Sequence, residues 1–322
     1  MNRTILLIPV LIICATAARA QNTDLRAALI KMPYTGARNV PELSPSPDYL
    51  EAGGIADSIR ALGVELKPTA TVSLTAEEEG DYGEWHRMGL ANGHLADMVS
   101  ENVRAGYLHV GLLGNCTSLI GTLGGLQHSG PGRRPLKVGL VFIDAHGDFN
   151  TPETTLSGML GGMPVSVAAG MSLHNLRLKS NLEPALPTQH IVLVAVRDLD
   201  PLEEDLLLRS DVEMLTVDAI RQRSANLHRQ MERLSQSTDV IYVHVDMDVL
   251  DPDEVPGHPL AVTNGPTSRE LAAALTEMFR YEKVAALGIA STPSGERDPN
   301  GVSRQAAYNL IKGALRGAMS RR

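Results

Sequence analysis

Eight short apolar runs, most of them continuous in Val, Ile and Leu and spaced by segments with helical periodicity, constrain this chain more than any other feature. They fall near residues 25–30, 64–70, 108–113, 138–143, 191–196, 212–217, 240–245 and 284–289. A strand with one face in water alternates apolar and polar residues, whereas a run apolar at every position needs cover on both faces. Parallel strands with crossover helices on either side meet that need. The spacing predicts those helices near 48–62, 84–105, 117–127, 202–209, 218–235, 267–280 and 302–317, with capping-type residues such as Asp218 and Thr267 at several starts. No long repeat and no low-complexity linker breaks the order, so residues 21–322 read as one doubly wound α/β domain. In such a sheet, ligands collect at the carboxyl ends of the strands.

The first twenty residues stand apart. Arg3 precedes an apolar stretch over 5–15, and Ala18-Arg19-Ala20 forms a small-x-small cleavage site. The stretch is too short to span ~30 Å of hydrocarbon, so it reads as a signal peptide, not an anchor. A residue larger than the small type, Ile13, precedes Cys14, which fits lipoprotein processing poorly. The expected location is the periplasm or the exterior, with no membrane association after cleavage. Removal of 1–20 would leave Cys116 as the single cysteine, with no internal disulfide available.

Charge excludes one class of partner. Asp+Glu number 37 against 29 Lys+Arg, a net charge of −8, and only 3% of residues are aromatic. Phosphate backbones select for Lys and Arg, and stacking platforms need aromatic rings. No nucleic acid is expected.

Three strand ends carry polar clusters. Asp144-Ala145-His146-Gly147-Asp148-Phe149-Asn150 follows the fourth run, Asp246-Met247-Asp248-Val249-Leu250-Asp251-Pro252 the seventh, and Gly114-Asn115-Cys116-Thr117 the third. In extended chain, residues i, i+2 and i+4 share a face. Asp144, His146 and Asp148 can therefore converge, and so can Asp246 with Asp248. Four carboxylates at the mouth of an apolar sheet repel one another and lose their hydration unless cations sit among them. Two divalent ions ~3.5–4 Å apart answer that demand.

These motifs resemble the two metal motifs of the ureohydrolase (arginase/agmatinase) family. The segment Asn150-Thr151-Pro152-Glu153-Thr154-Thr155-Leu156-Ser157-Gly158 is similar to the arginase-type loop that holds a substrate α-carboxylate. Arg197-Asp198-Leu199-Asp200-Pro201 with Glu203 resembles the segment that receives the α-amino group. The resemblance, from about Leu108 onward, implies a three-layer α/β/α fold with a mainly parallel eight-stranded sheet. It also implies a binuclear Mn²⁺ centre and hydrolysis of a small guanidino substrate to urea plus an amine. Asp144 and Asp246 would bridge both metals; Cys116 with Asp148, and His146 with Asp248, would complete the two sites. Asp148 would also handle the proton of the attacking water. Asn150, Thr155 and Ser157 would grip the carboxylate, and Asp200 with Glu203 would face the ammonium. Homo-oligomer formation stays open.

The pattern departs from the family at three places. Cys116 stands where a His is usual, and a thiolate is softer, favouring Zn²⁺ or Fe²⁺ over Mn²⁺. Some family members acting on N-hydroxylated arginine are similar in this respect. The segment Gly158-Met159-Leu160-Gly161-Gly162 lacks the usual shuttle His, and Ala290 occupies the place of the acid that orients a guanidinium. An arginine-like guanidinium stays charged and needs that acid, while a less basic hydroxyguanidine does not. The substrate expectation is therefore a guanidino or hydroxyguanidino amino acid. The alternative function is a non-catalytic, metal- or substrate-binding descendant. A cysteine-nucleophile hydrolase at Cys116 leaves the carboxylates unexplained, and a phosphate loop at 111–118 lacks its lysine. His109, His128, His190, His228 and His258 read as surface or structural, and His244 as support for Asp246.

Overall fold

The eight runs become eight strands: β1 (Arg26–Met32), β2 (Glu65–Thr71), β3 (Leu108–Leu113), β4 (Val138–Ile143), β5 (Ile191–Val194), β6 (Glu213–Leu215), β7 (Val240–Asp246) and β8 (Val284–Ala290). The computed structural model describes residues 25–35 and 45–321, and the expected signal peptide lies outside the described residues. All eight strands join one sheet in the order β2-β1-β3-β8-β7-β4-β5-β6, and every neighbouring pair is parallel.

The continuous apolar runs are explained by helices on both faces. In β4, Val141 and Ile143 pack into one cluster with Leu271, Leu275, Leu310 and Ile311 of helices Ser268–Met278 and Val302–Met319. Val138, Leu140 and Phe142 pack into the opposite cluster with Leu95, Val99, Leu119 and Leu123 of helices Glu84–Arg104 and Leu119–Gln127. Successive side chains leave a strand on opposite faces, so the pleat divides one run between two cores. The result is three layers.

The differences from expectation lie at element ends and have local causes. The helix near 48–62 breaks after Ala52, where Gly54 takes φ 93 before a second helix begins at Ile55. The helix near 218–235 divides into Val217–Arg221 and Ala225–Ser237, with Arg223 at φ 45 between them. Val217, read as the end of a strand, instead opens a helix after Thr216.

Sheet order creates the site. β3, β8, β7 and β4 are adjacent, so residues 116, 291, 246 and 144 meet although they lie far apart in sequence. Register keeps the ends level: Leu113 pairs with Ala290, Ala290 with Asp246, and Val245 with Ile143.

Candidate metal centre

After β4 the chain stays extended as far as His146, which forms an isolated bridge with Asp198. It then turns sharply at Asp148, whose φ is 48. Asp is among the few non-glycine residues that tolerate this left-handed region. Gly147 is required by crowding, because a Cβ there would lie 2.7 Å from both Glu203 Oε1 and Leu199 Cδ2. After β7 the chain does not stay extended, as the i, i+2 spacing predicted. It winds into one tight turn, Met247–Val249, capped by Asp246, whose Oδ1 accepts from Asp248 N at 3.0 Å. The turn still brings Asp246 and Asp248 to one side.

The side chains converge as three overlapping groups, each with its ligand atoms within 4.8 Å: Cys116/Asp144/Asp246, Asp144/His146/Asp248 and Asp246/Asp248/His258. Cys116 Sγ is 2.8 Å from Asp246 Oδ2 and 3.8 Å from Asp144 Oδ2. His146 Nδ1 lies 3.1 Å from Asp248 Oδ2 and 3.4 Å from Asp144 Oδ1. Asp148 lines the same cavity but belongs to none of the three groups. Its carbonyl accepts from Val165 N at 3.0 Å, which ties the turn to the next helix. Backbone amides hold the carboxylates in place: His146 N donates to Asp144 Oδ1 at 2.7 Å and Ala145 N to Asp248 Oδ1 at 3.3 Å. Ser291, at φ 61, donates its hydroxyl to Asp246 Oδ2 at 2.6 Å.

Electrostatics gives the test of whether ions fit. Burial first, then mutual repulsion, lifts Asp144, Asp148, Asp246 and Asp248 above the usual carboxylate range. Burial alone would lower the imidazole of His146, yet Asp248 and Asp144 beside it push it up to about 12. Burial and the neighbouring carboxylates also push the Cys116 thiol well above its usual value. One imidazolium cannot balance four buried acids, and unpaired buried charge is disfavoured. Carboxylate oxygens, an imidazole and a thiol are ligand types for divalent cations. The residues present fit a divalent metal centre.

Around this cluster opens a cavity of about 270 Å³, lined also by Asn115, Asn150, Leu156, Ser157, Asp198, Asp200 and Glu203. Asn150 Nδ2 donates to Asp200 Oδ2 at 3.1 Å, and Leu156 N donates to the same oxygen at 3.3 Å. Thr155 sits one step back from the lining, its Oγ1 3.4 Å from Ser157 Oγ and accepting from Gly158 N at 3.1 Å. Both oxygens of Glu203 are engaged by backbone: Oε1 by Phe149 N at 2.7 Å, Oε2 by Asp200 N at 3.2 Å. Glu203 thus clamps the 147–150 turn to the start of helix Pro201–Leu208. On β8, Ala290 packs into the apolar core and Ser291 lines the cavity.

Two further histidines lie against the cluster. His244 lies in β7 beneath the cluster, with Nε2 3.2 Å from Cys116 Sγ and Nδ1 2.7 Å from Tyr242 Oη. Burial holds it neutral, at about 3. His258, read from sequence as surface or structural, is neither remote nor exposed. Its side chain is 1% exposed, lines the cavity, and places Nε2 3.7 Å from Asp246 Oδ1. Sequence reasoning missed it because it sits in an irregular loop, six residues past Asp251-Pro252, with no periodic spacing to either metal motif.

A model of the Arginase family matches residues 26–315. The chain is 30% identical over 279 residues to the mitochondrial arginase-2 of Homo sapiens, covering 81% of this chain and 76% of that protein. It is 26% identical over 230 residues to an arginase of Brevibacillus brevis, covering 70% and 76%. The structure of the Bacillus caldovelox arginase superposes with a TM-score of 0.78 at 24% identity, over 91% of this chain and 98% of that one. Formimidoylglutamase from Bacillus subtilis shares the fold at a TM-score of 0.70 and 19% identity, over 92% and 88%.

Proposed function

Because the chain belongs to the arginase family of hydrolases, we propose that it cleaves the C–N bond of a guanidino or hydroxyguanidino amino acid, arginine or N-hydroxyarginine, giving urea or hydroxyurea plus an amine. The strongest support is the pairing, in one cavity, of a buried acidic cluster with polar groups suited to an amino acid. Asp144, Asp246, Asp248, His146, Asp148 and Cys116 would hold two divalent ions, Mn²⁺ by family precedent, with the Cys116 thiol biasing its side towards softer ions. Such ions, when bound, supply the Lewis acidity that makes water a nucleophile at neutral pH.

The chain's own residues do the remaining work. Asn150, Thr155 and Ser157 offer donors for an α-carboxylate, and Asp200 an anion for the α-ammonium, held in place by Glu203. Two-point anchoring directs the side chain toward the carboxylate cluster, where its planar amidino carbon meets the nucleophile. The carboxyl of Asp148 takes a proton from the attacking water and returns it to the leaving amine. We further propose that residues 1–20 are a signal peptide, that 21–322 form one catalytic domain, and that the protein works in the periplasm or outside the cell.

Release of urea and hydroxyurea across arginine, N-hydroxyarginine and agmatine tests this reading. Either amino acid should outpace agmatine, which lacks the carboxylate. Faster cleavage of agmatine would show that the 150–158 loop does not bind a carboxylate. No release from any of the three, with metal bound, would favour the binding-only descendant.

A further inference from the structure

The imidazole of His258 is fixed in one tautomer. Its Nδ1 accepts a hydrogen bond from Leu260 N at 3.2 Å, and a backbone amide can only donate. A neutral ring in that position carries its proton on Nε2. That nitrogen is buried and has no hydrogen-bond partner among the described residues. Its nearest anionic neighbour, Asp246 Oδ1 at 3.7 Å, is beyond hydrogen-bonding reach. That oxygen already accepts from Asp248 N, and the other takes Ser291 Oγ and Cys116 Sγ. A buried N–H without an acceptor is rare in a folded protein, and one that lines a ligand cavity is best explained by the ligand.

The ring is also held where it is. His258 N donates to Val255 O at 2.9 Å. Arg197 pins the far side of the loop through Val262 O at 2.8 Å and Thr263 O at 2.9 Å, and reaches Val249 O at 3.2 Å.

We propose that His258 selects the amidino terminus of the substrate: its Nε2–H donates to an acceptor atom there, so the site prefers an N-hydroxyguanidine over a guanidinium. This deepens the proposed function and rests on it. A guanidinium offers only N–H donors, and a donor facing a donor repels it. The hydroxyl oxygen of a hydroxyguanidine keeps lone pairs that can accept. The same tautomer removes His258 from the ligand set, since a protonated Nε2 has no lone pair for an ion, although its position beside Asp246 and Asp248 would otherwise suit one. At the end of β8 the cavity is lined by Ser291 and not by an acid that would favour a guanidinium.

The test compares wild type, His258→Phe and His258→Gln, each reconstituted with Mn²⁺, by metal content per chain and by kcat/KM for arginine and N-hydroxyarginine. Phe keeps the planar shape without the donor, and Gln returns an N–H near the position of Nε2. We expect wild type to favour N-hydroxyarginine and the Phe variant to lose about tenfold of that ratio, ~1.4 kcal/mol of discrimination. The Gln variant should recover part of it, and metal content should be the same in all three. One ion fewer in the Phe variant would make His258 a ligand and overturn the proposal. Equal losses on both substrates, or an unchanged ratio, would reduce it to a structural residue. Wild type that processes neither amino acid overturns the proposed function beneath it, whereas an active enzyme with an unchanged ratio overturns this inference alone.

Discussion

Replacing Glu203 by Ala separates two roles for a carboxylate that lines the cavity. In the structure its oxygens accept from Phe149 N at 2.7 Å and Asp200 N at 3.2 Å, completing a capping box with Asp200. Removing it strands the Phe149 amide, and an unsatisfied buried amide costs ~1–3 kcal/mol. Losing its half of the capping box adds ~0.5–1 kcal/mol. Part of this is returned, because burial lifts the pKa of Glu203 and its charge is poorly solvated. A net loss of ~1–3 kcal/mol, in a domain this long, lowers Tm by ~2–5 °C. Because Phe149 lies between Asp148 and Asn150, metal content and turnover should fall together with Tm. Glu203→Gln keeps one acceptor for Phe149 N but turns an N–H toward Asp200 N, so its loss should be smaller. Differential scanning calorimetry with metal analysis reads both effects. Unchanged Tm and metal content, with only KM raised for the amino-acid substrate, would refute the clamp and assign Glu203 to the substrate ammonium.

Other perturbations have outcomes equally open to measurement. Cys116→His should hold Mn²⁺ at least as well as wild type, because neutral imidazole suits a mixed N/O site better than a soft thiolate, while Cys116→Ala should lose one ion by metal analysis. As the buried thiol lies well above its usual range, metal-stripped protein should resist alkylation, and rapid labelling there would revive the nucleophile reading. Metal-stripped protein should lose stability as pH rises from 5 to 9. The four aspartates have folded pKa values above their unfolded ~3.9, so their protonated native form is favoured at low pH and that advantage fades as pH climbs through the raised values. His146, raised from 6.5 to about 12, acts in the same direction: its contribution is whole below 6.5 and is lost towards 12. Added divalent metal should reverse the trend, raising Tm more at pH 8 than at pH 5 because its ligands must deprotonate. A stripped protein whose Tm climbs with pH would contradict this.

The strands were legible because parallel strands covered on both faces leave a dense apolar signature, and each of the eight runs extends over most of an observed strand. The short edge strand Glu213–Leu215 was overdrawn, since its last predicted residue, Val217, had the composition of a strand but the position of a helix start after Thr216. The acidic cluster was legible because its residues follow two such strands, and adjacency of the β3, β8, β7 and β4 ends does the rest. Spacing did not reveal how the cluster is built: Asp148 is presented by a left-handed turn and Asp248 by a capped tight turn, neither of them extended. His258 was illegible for a related reason. Its position depends on the path of an irregular loop and on Arg197 gripping that loop's carbonyls, which no residue pattern encodes. The clamping by Glu203 was hidden likewise, because it acts on backbone amides rather than on recognisable side chains.

Turnover by this hydrolase should depend on divalent ions held by these strand ends. Its most direct measurement is a titration of chelator-stripped protein with Mn²⁺, following bound metal per chain and release of urea or hydroxyurea in the same samples. Turnover should be absent in the stripped protein and return as occupancy approaches two ions per chain. Full turnover in the stripped protein, or two bound ions without release from either amino acid, would contradict this.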